Sequence, residues 1–346
     1  MSELVRNLSL ILGSTFLAFL ITLLLIPRFT KFLIHHRLGK QIREEALTGD
    51  KTPIFSAMHA KKAGTPTMGG ILIWGCALIV VIISRIISAI GLSDRSLLNR
   101  KETWIPIFTM LAVGALGALD DYLNIKGIGK TKGLSAKFKL AWLTIFAGVG
   151  AYWFFEKLGF STINIPWVGN MEIGWLYIPL FIFIILATAN AVNFTDGLDG
   201  LASGLLIISF GAFGILAYTK GLLILSAFCG VIAGSTTAFL WFNIPPAQFY
   251  MGDTGALSLG ATLGVIAMLT NEVLILPIIG LVFVIETLSV IIQLLSKKIF
   301  KRKVFLVAPI HHHFEAKGWT ESKVVMRFWI IAGFAGALGI ILGLTT

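Results

Sequence analysis

The sequence predicts an all-α integral membrane protein, a single polytopic domain of about ten transmembrane helices. Three observations carry this expectation. Of 346 residues, 56% are hydrophobic and 13% charged, against about 25% charged in soluble domains. A soluble fold of this size would have no way to hide that much apolar surface, so the excess faces lipid. The hydrophobic residues fall into long runs, and the basic residues crowd into alternate connections between them.

In chain order the runs lie near 8–27, 67–90, 104–119, 138–155, 174–192, 201–218, 222–242, 254–270, 274–296 and 325–344. A membrane helix needs about 20 apolar residues, and most runs meet that length. The first, from Leu8 to Ile26, is followed by no small-residue cleavage site. It reads as a membrane helix and not as a cleaved signal peptide. The third run is short and ends at Asp120. Between the fourth and fifth, Pro166, Gly169 and the alternating Ile163 and Ile165 predict a small hairpin without chemistry. The ninth carries Glu286 and Gln293, and polar residues at membrane depth usually face a cavity. Gln293 stands about one turn from the lysines that follow, where it lines a site open to that side. Cys76 and Cys229 sit inside apolar runs and give neither a disulfide framework nor a thiolate metal site.

The connections 28–66, 120–139, 193–200, 243–253 and 297–327 hold 21 of the 28 Lys and Arg residues. Positive-inside logic makes this set cytoplasmic, which with ten spans puts both termini on the periplasmic or extracellular side. The net charge of +11 thus follows topology, and no nucleic-acid partner is expected.

The unusual polar residues fall in the same set of connections. Asp120 and Asp121 are adjacent carboxylates, which repel unless a cation or a shared proton relieves them. Lysines follow at 126, 130, 132, 137 and 139, a combination suited to Mg²⁺ and phosphate together. The segment Asn190–Gly200 packs Asn190, Asn193, Asp196 and Asp199 with two glycines. One tight turn needs fewer, so the density of oxygen ligands suits a nucleotide- or metal-binding loop. Asp253-Thr254-Gly255 opens an apolar run after Asn243-Ile244-Pro245-Pro246. It reads as a helix cap or as a carboxylate holding Mg²⁺ against a pyrophosphate at a helix start. His311-His312-His313 are consecutive and do not share a helix face, a poor tetrahedral zinc site. They suit donation to phosphate or to uracil, or the fixing of a loop. Lys61-Lys62-Ala63-Gly64-Thr65-Pro66-Thr67 enters the second run with basic, hydroxyl and glycine residues that can bind phosphate.

The motifs GTPTMGG, ALDDY, NAVNFTDGLDGLA, FYMGDTGALSLG and APIHHHFEAKGW stand in this order along essentially the whole chain. With them the sequence resembles the phospho-N-acetylmuramoyl-pentapeptide transferases, within the polyprenyl-phosphate N-acetylhexosamine-1-phosphate transferase superfamily. The histidine segment is the most discriminating. The resemblance implies a homodimer in the bacterial inner membrane, each chain having ten membrane helices, a bent ninth helix and a cytoplasmic active-site cleft. It implies Mg²⁺-dependent transfer of phospho-MurNAc-pentapeptide from UDP-MurNAc-pentapeptide to undecaprenyl phosphate, giving lipid I and UMP in peptidoglycan synthesis.

By the same resemblance Asp253 matches the Mg²⁺ ligand, and Asp120 and Asp121 match the pair that serves catalysis and the lipid phosphate. Asp196 and Asn190 match nucleotide-side residues. Lys62 and Thr67 match the uridine and phosphate pocket, while Asn243, Gln293 and His312 fall on site positions. Among the lysines after the aspartate pair Lys137 is the expected match, with Lys132 and Lys139 left open by the spacing. The sister reading, a transferase using UDP-N-acetylglucosamine, is disfavoured by the histidine segment. A transporter or lipid flippase is disfavoured by the lack of a clear internal repeat and by acidic residues at one face and not at mid-membrane.

Overall fold

The computed structural model describes residues 2–39, 64–98, 101–128 and 133–345. Helix α1 (Glu3–His35) starts at a Ser2 cap and runs through Pro27. It is followed by α2 (Gly70–Ala89) and α3 (Lys101–Lys126). Helix α4 (Ala136–Tyr152) is capped by Ser135, whose hydroxyl accepts the Phe138 N–H at 3.3 Å. A five-residue wider turn, Trp153–Lys157, ends that span.

The expected hairpin forms from β1 (Thr162–Ile165) and β2 (Gly169–Glu172), antiparallel, with Thr162 opposite Glu172 and Ile165 opposite Gly169. Then come α5 (Tyr177–Thr195), α6 (Leu201–Thr219), α7 (Leu223–Asn243) and α8 (Gly252–Leu269). The ninth run is broken into α9 (Leu276–Ile279) and α10 (Leu281–Phe300) at Gly280. A short α11 (Ile310–Ala316) precedes α12 (Glu321–Leu344).

Among the described residues, nine helices are long and apolar enough to cross a membrane. The expectation was about ten. The difference lies in α10, which carries Glu286, Lys297 and Lys298 within its 20 residues and so lacks a continuous apolar stretch. The third run also differs. Its helix continues past Asp120 to Lys126, so the aspartate pair sits inside a helix and not at its end. Because an N–H at those positions is already bonded along the helix, the carboxylates are free to serve other elements.

The helices wrap unequally around a centre. Helix α8 is 94% buried over its span, whereas α1 is 17% buried. Helix α8 is threaded by small residues, and α3, α5 and α2 approach it there. A Cβ on Gly70 would strike the backbone of Gly255, one on Gly117 the backbone at Asp253, and one on Gly260 would lie 2.6 Å from the Thr188 carbonyl. Close backbone approach of this kind is how membrane helices gain dispersion energy without a hydrophobic drive between them. The apolar faces of α1 and α12, with Phe16, Leu24, Ile330 and Phe334 exposed, are left for lipid.

Candidate active site

The N-terminal end of α8 is where the acidic motifs meet. Three backbone bonds bring the segment before α2 alongside the chain entering α8, and a fourth ties it to the chain after α1. Tyr250 N–H donates to the Pro66 carbonyl at 2.8 Å, Gly69 N–H to Tyr250 at 2.9 Å, Gly70 N–H to Met251 at 2.9 Å and Thr67 N–H to Leu38 at 3.0 Å. This pairing explains why the helix expected from residue 67 begins only at Gly70.

No side chain of its own caps α8. Asp121 of α3 does so from outside: Oδ1 accepts the Asp253 N–H at 3.2 Å, and Oδ2 accepts the Thr254 N–H at 3.0 Å and the Thr254 hydroxyl at 2.6 Å. A carboxylate there satisfies orphan donors and sits at the positive end of the helix dipole. Gly252 has φ +72°, and a Cβ on it would strike Asp121, so glycine is required both by conformation and by space.

Asp120 and Asp253 are joined by one lysine. The Lys139 ammonium of α4 lies 3.1 Å from Asp120 Oδ2 and 2.8 Å from Asp253 Oδ2. The other oxygen of Asp120 accepts the Leu134 N–H at 2.5 Å, and the other oxygen of Asp253 accepts the Asn193 amide at 2.8 Å. Asp120 and Asp121 are buried, while the Asp253 side chain keeps 21% of its surface open. Asp120 and Asp253 thus share one ammonium at an open edge, with Asp121 beside them on the α8 terminus. The Thr67 hydroxyl is buried beside this cluster without a hydrogen-bond partner.

The lysine is where the sequence-based choice fails. Lys137 is exposed on α4, and Lys139 occupies the cluster. Two residues along a helix turn the side chain by about 200°, so only one of the pair can face Asp120. Lys62 lies outside the described residues.

The remaining candidates divide into those that line the cluster and those that hold its walls. Asn193 lines it. Asp196 ends α5, its N–H donating to Val192 at 3.1 Å, and is half-buried. Asn190 donates its amide to the Leu186 carbonyl at 2.8 Å within α5. Asp199 is turned away: it accepts the Ala247 N–H at 2.9 Å, and its own N–H donates to Glu321 at 2.7 Å. Asn243 is buried and used at both ends, accepting from Gly200 N–H at 3.1 Å and the Ser203 hydroxyl at 3.0 Å and donating to the Phe249 carbonyl at 3.0 Å. It ties the chain before α8 to the start of α6.

Gln293 is likewise occupied. Its oxygen accepts the Val304 and Phe305 N–H groups at 3.0 and 2.9 Å, and its amide donates to the Phe305 carbonyl at 3.0 Å. The expectation that it lines an open cleft therefore gives way to a role in pinning the connection from α10 to α11. The short helix α11 buries His311 and His312 and leaves His313 half-exposed. His313 Nδ1 accepts the Leu306 N–H at 3.1 Å, and burial with nearby Lys317 pushes its pKa below the usual imidazole value.

Residues that the sequence reading did not single out are Thr254, Glu315 and Glu321. Thr254, legible in the sequence only as a possible cap, bonds Asp121 through both its N–H and its hydroxyl. Glu315 follows His312 by one helical turn, a spacing that marks a pair once the segment is known to be helical.

Among the described residues no group of three or more His, Cys, Asp or Glu is arranged to hold a metal ion. The donor set at the cluster is nonetheless of hard oxygens. Mg²⁺ is commonly held by one or two carboxylates, its other positions taken by water and substrate phosphates. Asp253, the most open of the three carboxylates, fits that role.

Fold and site together define a polytopic membrane protein with a carboxylate–lysine cluster at one end of a buried central helix. Residues 103–271 match the model of glycosyl transferase family 4, and residues 62–73 match the phospho-N-acetylmuramoyl-pentapeptide-transferase signature 1. A phospho-N-acetylmuramoyl-pentapeptide-transferase of Geobacillus sp. (strain WCH70) is 40% identical over 326 residues, 94% of this chain and 95% of the relative. That of Anoxybacillus flavithermus is 40% identical over 336 residues, covering 96% and 98%. That of Chloroflexus aggregans is 39% identical over 341 residues, covering 94% and 88%. The chain belongs to the phospho-N-acetylmuramoyl-pentapeptide-transferase family.

Proposed function

We infer that this protein transfers phospho-MurNAc-pentapeptide from UDP-MurNAc-pentapeptide to undecaprenyl phosphate, releasing UMP and forming lipid I. Full-length kinship to transferases of that name supports it. The single structural observation that carries the chemistry is Lys139 bridging Asp120 and Asp253 beside Asn193. The protein is a bacterial membrane enzyme. The basic connections favour a site facing the cytoplasm, with both termini outside, and the family resemblance favours a homodimer.

The reaction joins two anions, so positioning and charge neutralisation do most of the work. Asp253 would hold Mg²⁺, which when bound draws charge from the pyrophosphate and improves UMP as a leaving group. Lys139 supplies a second positive charge, and on substrate entry it is free to leave Asp253 for a phosphate oxygen. Asp120, anchored by Leu134 N–H, orients Lys139 and the lipid phosphate. Asp121 keeps the α8 terminus in place. An oxygen of the lipid phosphate attacks the β-phosphorus, the bond from that phosphorus to the bridging oxygen breaks, and UMP leaves with the bridging oxygen.

UMP release by purified protein with undecaprenyl phosphate and Mg²⁺ tests the reading, with UDP-MurNAc-pentapeptide and UDP-N-acetylglucosamine run side by side. Release from the muramoyl donor alone is expected. Release from the glucosamine donor alone would move the protein to the sister activity.

A further inference from the structure

Two neighbouring histidines of α11 are held by carboxylates through the same ring atom. His311 Nδ1 lies 2.9 Å from Oε2 of Glu286 on α10, and His312 Nδ1 lies 2.7 Å from Oε2 of Glu315. The first pair is wholly buried, at 0% exposure for both side chains. An ionised carboxylate only accepts, so the proton of each ring is drawn to Nδ1 and Nε2 becomes the outward atom. Both Nε2 atoms converge on Gly197. A Cβ there would collide with Nε2 of His311 and stand 3.2 Å from Nε2 of His312. The two rings meet edge to face with centroids 4.0 Å apart.

Nε2 of His311 and Oε1 of Glu286 are buried without hydrogen-bond partners. Unpaired buried polar atoms are costly, and an apolar pair of the same shape would not incur that cost. The pair therefore serves something other than stability. What it touches is the turn between α5 and α6, which follows directly on the last turn of α5, where Asn193 reaches Asp253. Helix α10 is thus linked to the acidic cluster through two rings and one glycine.

We propose that Glu286 is a positioning residue for the nucleotide donor: through His311 it fixes where the Asp196–Gly197 turn stands. The proposal rests on the reading that this turn receives the donor. Glu315 does the same for His312 at the more open side. Gly197 is then constrained to be glycine by the rings above it and not by its own backbone angles, since it is absent from the positive-φ positions.

The test uses full-length protein in detergent with three changes, Glu286→Leu, Glu286→Gln and Gly197→Ala. For each, KM for donor, KM for lipid phosphate and kcat are measured, and ¹⁵N-histidine spectra report which ring nitrogen carries the proton. Glu286→Leu is expected to raise donor KM about tenfold and to leave lipid-phosphate KM within about twofold. Glu286→Gln keeps an acceptor oxygen and is expected to stay within about threefold of wild type. Gly197→Ala should reproduce the donor effect, and the double change with Leu should be less than additive. Donor KM unchanged in both Glu286→Leu and Gly197→Ala, or donor and lipid-phosphate KM rising together, would overturn the proposal. If Glu286→Leu does not fold, Gly197→Ala decides alone. Should wild-type protein release no UMP, the activity reading has failed. The spectra still judge the pair: a His311 proton that stays on Nδ1 after Glu286→Leu overturns the positioning role, and its migration to Nε2 supports it.

Discussion

Each end of α8 pairs buried acid with a lysine, and the two ends are wired differently. At the far end Glu272 is fully buried, 2.5 Å from the Lys220 ammonium, and accepts the Asn164 amide at 3.1 Å. Asn271 takes the Asn164 N–H at 3.2 Å and donates to Asn170 at 3.0 Å. Lys220 pairs with Glu272, and the amides around them tie the hairpin to the helix bundle. At the near end two carboxylates, Asp120 and Asp253, share Lys139, and Asp121 caps α8 beside them. Their partners come from α3, α4, α5 and the start of α8, and one carboxylate is open to solvent. A balanced pair closes structure. An unbalanced one is poised to exchange its lysine for an incoming cation or phosphate.

That contrast can be broken by substitution, and the largest effect is expected at Asp253. Asp253→Asn removes the open charge while keeping shape and the Asn193 contact. UMP release should fall about 10²–10³-fold or more, with the folded fraction unchanged by thermal unfolding in detergent. Next comes Lys139→Met, expected to cost roughly 10²-fold in kcat, whereas Lys137→Ala should stay within about twofold. Equal loss in both lysine variants would remove the distinction drawn from helical phase.

Lys220→Met is expected to behave oppositely. It leaves Glu272 buried without its counter-charge and should destabilise the protein by about 3 kcal/mol, read as a lower thermal midpoint. The specific activity of what remains folded should match wild type. A smaller change is expected for Gly252→Ala, which forces a Cβ into the left-handed region against Asp121. A loss of about 1–3 kcal/mol in stability, with a modest fall in kcat, would fit. An unchanged midpoint would mean that Asp121 moves aside freely.

Much of this architecture was legible from the chain. The apolar runs forecast the place of each long helix, because lipid demands internally bonded backbone, while α1 and α3 extend up to eight residues beyond their runs and the ninth run is broken. The hairpin at 162–172 was legible from its alternation and turn residues. The acidic motifs stood out as candidates because ordinary turns do not need so many carboxylates, and the structure gathers Asp120, Asp121 and Asp253 at one helix end. What stayed hidden was orientation. Lys137 and Lys139 are equivalent in composition and differ only by phase on α4. Gln293, Asn243 and Asp199 looked like ligands, and the structure uses them to bind backbone N–H groups of loops. Their partners, Phe305, Gly200 and Ala247, lie in irregular segments that no periodicity marks. The break at Gly280 was likewise implied only by resemblance, since the polar residues of the run 274–296, Glu286 and Gln293, lie beyond Gly280 and do not mark it.

The central claim is that the unbalanced end of α8 is catalytic and the balanced end structural. The most direct measurement is the initial rate of UMP release from UDP-MurNAc-pentapeptide by Lys139→Met and Lys220→Met, each normalised to folded protein. A loss of about 10²-fold in the first, with the wild-type rate in the second, is the expected result. Full activity in Lys139→Met, or a comparable loss in Lys220→Met at equal folded concentration, would contradict it.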